Sequence, residues 1–288
     1  MSWKRFWHIS GEVLFWSAIV LFFVWVGLLR NHNEEARTVR SIKVVVCDSL
    51  ERRFVTPEII MNRIQETTLD PLGESVEDIN LKEINLLVES YSFVSHSRTF
   101  VDYDGNLTIE IHQREPVLRI MTSKGEDLYL SQDMYLLPVQ PHTTLNLPLV
   151  TGDVPLPCEA GFTGPLADKE KMLEKKYEEN YNFLCKLINF ARLTEQTPAW
   201  RGKFVQFVAT VDGKRSGKQS FTEPTFELIP RHGNYTIEIG TLEDTEEKLR
   251  RLEGFLQACV VDPNGGVVNV EFDNQVLWRA PKSEKKKK

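Results

Sequence analysis

The sequence predicts an α+β protein in three parts: a single N-terminal transmembrane helix, a small β-α-α-β-β module, and a β-rich mixed α/β domain. Three observations predict this. The run Val13–Leu29 carries no charged side chain and a single hydroxyl, Ser17. Between Ile42 and Gln113, segments that alternate with period two bracket two segments of helical period. Beyond Pro116, short β-branched and aromatic runs are interrupted by two amphipathic patterns. The chain has 288 residues, 41% apolar and 26% charged, a composition that supports a folded core and one or two domains outside the apolar run.

At ~1.5 Å per residue the run from Val13 to Leu29 extends about 25 Å, and Phe6, Trp7 and Ile9 continue its apolar character. Trp3 and Trp7 suit a headgroup level. A cleaved signal peptide would have small residues at an A-x-A-like site, whereas Gly27 is followed by Leu28, Leu29, Arg30 and Asn31. The expectation is an uncleaved anchor over 13–29, a leader over 1–12 and a juxtamembrane linker over 30–40. Lys4 and Arg5 precede the run while Arg30, Arg37, Arg40 and Lys43 follow it, so positive charge alone leaves the orientation open. The length of chain beyond Leu29 favours the short end inside.

The small module begins with Ile42, Val44 and Val46, which alternate as a strand does. Thr56-Pro57-Glu58 opens a helix with a capping hydroxyl, a proline in the first turn and an early acid, and Ile60 and Ile64 follow at a spacing of four. Leu81, Ile84, Val88 and Tyr91 recur at helical intervals. Phe93 to Tyr103 turns β again, Asp104-Gly105-Asn106 makes a tight turn, and Leu107, Ile109 and Ile111 alternate in a returning strand.

In the longer domain, Leu118 and Ile120, Leu128–Leu130 and Tyr135–Leu137 read as strands, followed by Leu147–Gly152 and a proline-rich loop over Asp153–Pro165. Leu173, Tyr177, Tyr181, Leu184, Ile188 and Ala191 mark a long amphipathic helix whose stripe is core contact. Strands follow at Phe204–Val211, Thr225–Ile229 and Tyr235–Gly240. Asp244 caps a helix bearing Leu249, Leu252, Phe255 and Leu256 and ending near Cys259. In a final strand, Val268, Val270, Phe272, Val276 and Trp278 share one face while Asn269, Glu271, Asp273 and Gln275 share the other. Pattern alone weighs a free edge and internal pairing on both sides equally.

The order of these pieces resembles the FtsQ/DivIB family of bacterial cell-division proteins, with its POTRA domain and β domain. Ile42–Val46, Phe54–Ile60, Phe93-Val94 and Leu107–Val117 stand at the POTRA landmarks, and Cys47-Asp48 departs from the glycine often found after the first strand. Ile229–Gly240, Lys248–Leu252 and Val268–Trp278 resemble successive landmarks of the β domain. The resemblance implies a POTRA domain over 41–116, a β domain over 117–278 and a basic disordered tail over 279–288. It implies a membrane-anchored scaffold of the division complex in the cell inner membrane, with its N-terminus cytoplasmic and its bulk periplasmic, acting at the septum. The partners implied are other division proteins and the FtsB-FtsL pair, with FtsB bound by strand addition to the final segment. Phe272, Asn274 and Trp278 match the positions that matter most in that contact, and Val270 and Gln275 complete the expected partner-binding set.

No catalytic constellation is visible. The six histidines are isolated, the four cysteines lack ligand-like spacing, and no nucleophile elbow or phosphate-binding loop occurs. A net charge of -6 gives no encouragement to nucleic-acid binding. The expectation is a protein that is not an enzyme, with no cofactor, no metal and no small-molecule substrate. Cys47, Cys158, Cys185 and Cys259 admit either disulfides or buried thiols. The rival function is a POTRA-based envelope protein that assists polypeptide translocation or assembly.

Overall fold

A computed structural model describes residues 15–28, 38–48, 54–67, 69–140, 145–211, 221–258 and 265–280. The chain divides into two compact units, Met1–Gln113 and Arg114–Lys288.

The first helix, α1, is described over residues 15–28. That length corresponds to about 21 Å, well short of a ~30 Å hydrocarbon core. Among the described residues, no helix is long and apolar enough to cross a membrane. The expected transmembrane helix over 13–29 is corrected accordingly, and with it the single-pass anchoring and the inner-membrane placement that depended on it. Val13, Leu14 and Leu29 lie outside the described residues, as do the expected leader, residues 30–37 of the linker and residues 281–288 of the tail.

The rest of the first unit is a three-stranded sheet carrying two helices. Its elements run β1 (Ser41–Val46), α2 (Pro57–Gln65), α3 (Leu81–Glu89), β2 (Val94–Val101) and β3 (Asn106–Gln113), with strand order β1-β3-β2. Strand β1 lies parallel to β3, with Ile42 opposite Leu107, and β2 is antiparallel to β3. Thr56 caps α2 by accepting from the Ile59 amide, and Pro57 stands in its first turn. Asn80 caps α3 reciprocally, its Oδ1 accepting from the Glu83 amide and its Nδ2 donating to Glu83 Oε2, both at 3.2 Å. Ile60, Ile64, Ile84 and Val88 from the helices meet Leu107, Ile109 and Ile111 in the core. The rings of Phe54 and Phe93 stack at 5.0 Å. Buried Gln113 accepts from the amides of Phe54 and Val55 at 2.9 Å each, tying the end of β3 to the approach to α2.

The second unit is built on a ten-stranded sheet. Its elements are β4 (Pro116–Thr122), β5 (Asp127–Ser131), β6 (Tyr135–Pro138), β7 (Leu149–Gly152), β8 (Gly164–Pro165), α4 (Lys175–Gln196), β9 (Phe204–Thr210), β10 (Thr225–Pro230), β11 (Thr236–Gly240), α5 (Thr245–Ala258), β12 (Val267–Asn269) and β13 (Leu277–Arg279). The strand order is β13-β12-β11-β10-β9-β7-β4-β5-β6-β8.

Phe183, Leu184, Leu187 and Phe190 of α4, with Leu249 and Leu252 of α5, pack on a core row that crosses the sheet. Leu128, Ile120, Val150, Phe207, Leu228, Ile237 and Val268 form that row through successive strand registers. In the intervening row, Arg119 holds Asp127 through Nε and Nη2, at 2.7 and 2.5 Å.

Two details differ from the sequence pattern. Leu173 is 88% exposed in a 3-10 turn (Lys171–Leu173) ahead of α4, and does not join the helix stripe. The loop expected over Asp153–Pro165 ends in the short strand β8, whose Pro165 removes an amide from that edge of the sheet.

Candidate strand-acceptor site at the carboxyl-terminal edge

The far edge of the large sheet is built by a β-α-β crossover and a hairpin. Strands β11 and β12 are parallel, so the chain must return across the sheet between them, and α5 makes that return. Leu249 and Leu252 bury its apolar face. Strand β13 then folds back antiparallel on β12, with Trp278 opposite Val268, Leu277 opposite Asn269 and Arg279 opposite Val267.

The single final strand read across Val268–Trp278 is thus two short strands and a turn. The physical reason lies at Asn274, whose φ of 58° is left-handed and incompatible with a continuing strand. Asparagine tolerates that conformation better than most residues. Its side chain is exposed, as is that of Gln275. Phe272 projects from the turn and is 48% exposed.

Trp278 has a different role from Phe272. It is half-buried and packs against the core through its place opposite Val268. Its indole lies over Gly266, where φ is +113° and an added Cβ would come within 2.3 Å of the ring. Val270 is fully buried, and its amide donates to the Glu238 carbonyl at 2.9 Å. Of the five expected partner residues, Phe272, Asn274 and Gln275 therefore cluster on the exposed turn, Trp278 braces β13, and Val270 supports the turn from the core.

Charged groups that the sequence pattern did not single out hold this corner. Glu238 accepts from Asn269 Nδ2 at 2.6 Å and from Arg279 Nη2 at 2.5 Å, linking β11, β12 and β13. From α5, Arg251 Nη2 donates to the Val270 carbonyl at 3.3 Å, and Nη1 stands 3.7 Å from Asp273. Lys248 is buried and donates through Nζ to the Thr241 carbonyl at 2.8 Å. Burial pushes its ammonium pKa down, against the opposing pull of Glu271, Asp244 and Asp273. The available sequence signal was the spacing of Lys248 and Arg251, which places them on one side of the helix.

Strand β13 has a pairing partner on its β12 side alone among the described strands. Residues 37–112 match a POTRA-like domain, and residues 115–278 match the family described as FtsQ/DivIB, C-terminal related. The second match covers more than half of the chain. The chain belongs to the FtsQ/DivIB C-terminal-related family. No curated protein matches it.

FtsQ/DivIB proteins are non-catalytic scaffolds, and this chain is not an enzyme. Among the described residues no group of three or more histidine, cysteine, aspartate or glutamate side chains could hold a metal ion. Cys47, Cys158 and Cys185 are free thiols, and burial pushes that of Cys158 up to about 11, away from nucleophilic reactivity. Cys259 lies outside the described residues.

Proposed function

We propose that this FtsQ/DivIB chain is a scaffold that connects division proteins at the septum, and that it receives an extended segment of one of them along β13. The observation that carries the reading is the position of β13 at the end of the ten-stranded sheet, where the region matched to the family ends. An edge strand presents unpaired backbone amides and carbonyls, which an incoming strand can satisfy without any specialised chemistry. Phe272 supplies an exposed aromatic anchor, Asn274 and Gln275 line the turn beside it, and Trp278 fixes the edge from behind, with Val270 beneath. The partner named by the family resemblance is FtsB. The POTRA module, over 41–116, offers a second docking unit for other division proteins.

Copurification of the full chain with division proteins tests the proposal. FtsB is expected to copurify with the wild type and to be lost when Phe272 is replaced by a charged residue. Filamentous cells with unfinished septa are expected on depletion; normal division would overturn the scaffold role.

A further inference from the structure

In the second unit, the turn after α4 and the last turn of α5 frame a pocket of about 390 Å³ that shares no residue with the β13 site. That volume lies within the ~300–1,000 Å³ usual for ligand pockets. Its walls are largely aromatic. Trp200 stacks on Phe204 of β9 at 5.4 Å, with 16° between the ring planes. Pro230 ends β10, Leu256 comes from α5, and Tyr235 stands just before β11. Gly233, at a φ of +96°, leaves room for the tyrosine ring, since an added Cβ would fall 2.6 Å from its Cε1.

Trp200 and Tyr235 bring donors without acceptors. Trp200 is 7% exposed, and its indole N–H donates to no group among the described residues while keeping a path to solvent. The Tyr235 hydroxyl also makes no hydrogen bond among the described residues, and burial raises its pKa, so it keeps its proton. Lys203 adds an ammonium with no ion pair among the described residues. The carboxylate in the lining, Glu253, is engaged by Gln257 Nε2 at 3.3 Å. A ligand that supplies carbonyls here recovers hydrogen bonds that the free chain leaves unmade.

We propose that this pocket receives a proline-rich segment of a partner protein in the polyproline II conformation. Pyrrolidine rings lie flat against aromatic planes, and such a segment presents carbonyls that no internal hydrogen bond uses. Proline has no N–H, so the segment brings few donors of its own to a pocket that already has donors in excess. A helix would arrive with its carbonyls already bonded, and an ordinary strand would bring amides in need of acceptors. The stiffness of polyproline II keeps the entropy lost on docking small. The inference does not depend on strand acceptance at β13.

The test is a selection on the full chain from two libraries of short peptides, one with a Pro-x-x-Pro core and one in which alanine replaces both prolines. Binders are expected from the proline library alone. Their affinities, measured by fluorescence anisotropy of the labelled peptide, should fall roughly three- to tenfold in Tyr235→Phe and in Trp200→Phe, each of which keeps a ring and removes a donor. Tyr235→Phe loses no hydrogen bond within the described residues, so its melting temperature should stay near that of the wild type and it carries the test if Trp200→Phe disturbs folding. Phe272→Glu should leave these affinities unchanged. Equal yield from the two libraries, or no proline-dependent binder, would overturn the polyproline reading. Proline-dependent binders that tolerate both ring substitutions, or that are lost in Phe272→Glu, would overturn the assignment to this pocket.

Discussion

Trp278 lies across Gly266 so closely that a methyl group on the glycine would sit 2.3 Å from the indole. The glycine also has a φ of +113°, which a side chain resists. Gly266→Ala is therefore expected to destabilise the second unit by at least about 1 kcal/mol, from backbone strain and displacement of the ring together. Trp278→Ala in the same chain should recover the steric part and leave the backbone part. Thermal or denaturant unfolding of the two single variants and the double variant measures this; strictly additive losses would refute the contact.

Phe272 and Trp278 should separate binding from stability. Phe272 is 48% exposed, so Phe272→Ala is expected to leave the melting temperature nearly unchanged and to weaken partner capture by about 1 kcal/mol or more. Trp278→Ala should lower both, because the half-buried ring packs against the core. Equal effects of the two substitutions on stability would contradict their different burial.

Gln113 gives a test confined to the first unit. Its Oε1 is the acceptor for two buried amides, those of Phe54 and Val55. Gln113→Ala removes the acceptor that both amides share and is expected to cost about 2–4 kcal/mol. Hydrogen exchange should quicken at Phe54, Val55 and the start of α2 while amides of α4 stay protected.

Asp127 contributes a pH dependence of known sign. Hydrogen bonds from Arg119, and its charge, hold the Asp127 carboxyl below the usual carboxylate range. Its contribution is full above the ordinary value of 3.8 and is lost as pH falls through the lowered folded value. Both side chains are about one-third exposed, so the solvent-screened effect is less than about 1 kcal/mol. Asp127→Asn should lower stability near neutrality and flatten its fall below pH of about 4, measured as denaturant midpoints across the acid range.

Lys248 acts at the opposite end of the pH scale. Burial lowers its pKa from 10.5, so the folded state holds this proton less tightly than the unfolded chain. The resulting penalty is present at neutral pH and fades as pH rises through the lowered folded value toward 10.5. Lys248→Met should remove that rise in stability. Its slope with pH is the readout, since losing the bond to Thr241 shifts the absolute value.

Much of the architecture was legible because local signals and tertiary packing agree. Thr56-Pro57 opens α2, and Ile60 and Ile64 are buried as their spacing requires. The Asn80-x-x-Glu83 cap of α3 is a local signal of the same kind. Agreement failed where short-range and long-range forces diverge. The alternation from Val268 to Trp278 reads as one strand, yet the left-handed backbone at Asn274 folds it into a hairpin. Leu173 fits a helical stripe by spacing but precedes the helix. The apolar run near the amino terminus suggested a membrane helix through hydropathy, whereas the described helical length is too short to cross one. The candidate site was partly visible as aromatic and polar residues; the cations behind it belong to another element, and only the fold brings them there.

Pro165 gives the large sheet a valency. The edge it occupies is a two-residue strand deprived of one donor, while at the opposite edge β13 has no second partner among the described strands. A sheet with two receptive ends could link molecules into filaments; this one has a terminator at one end. Strand exchange at β13 would therefore saturate at one segment per chain and give closed, stoichiometric complexes instead of growing polymers.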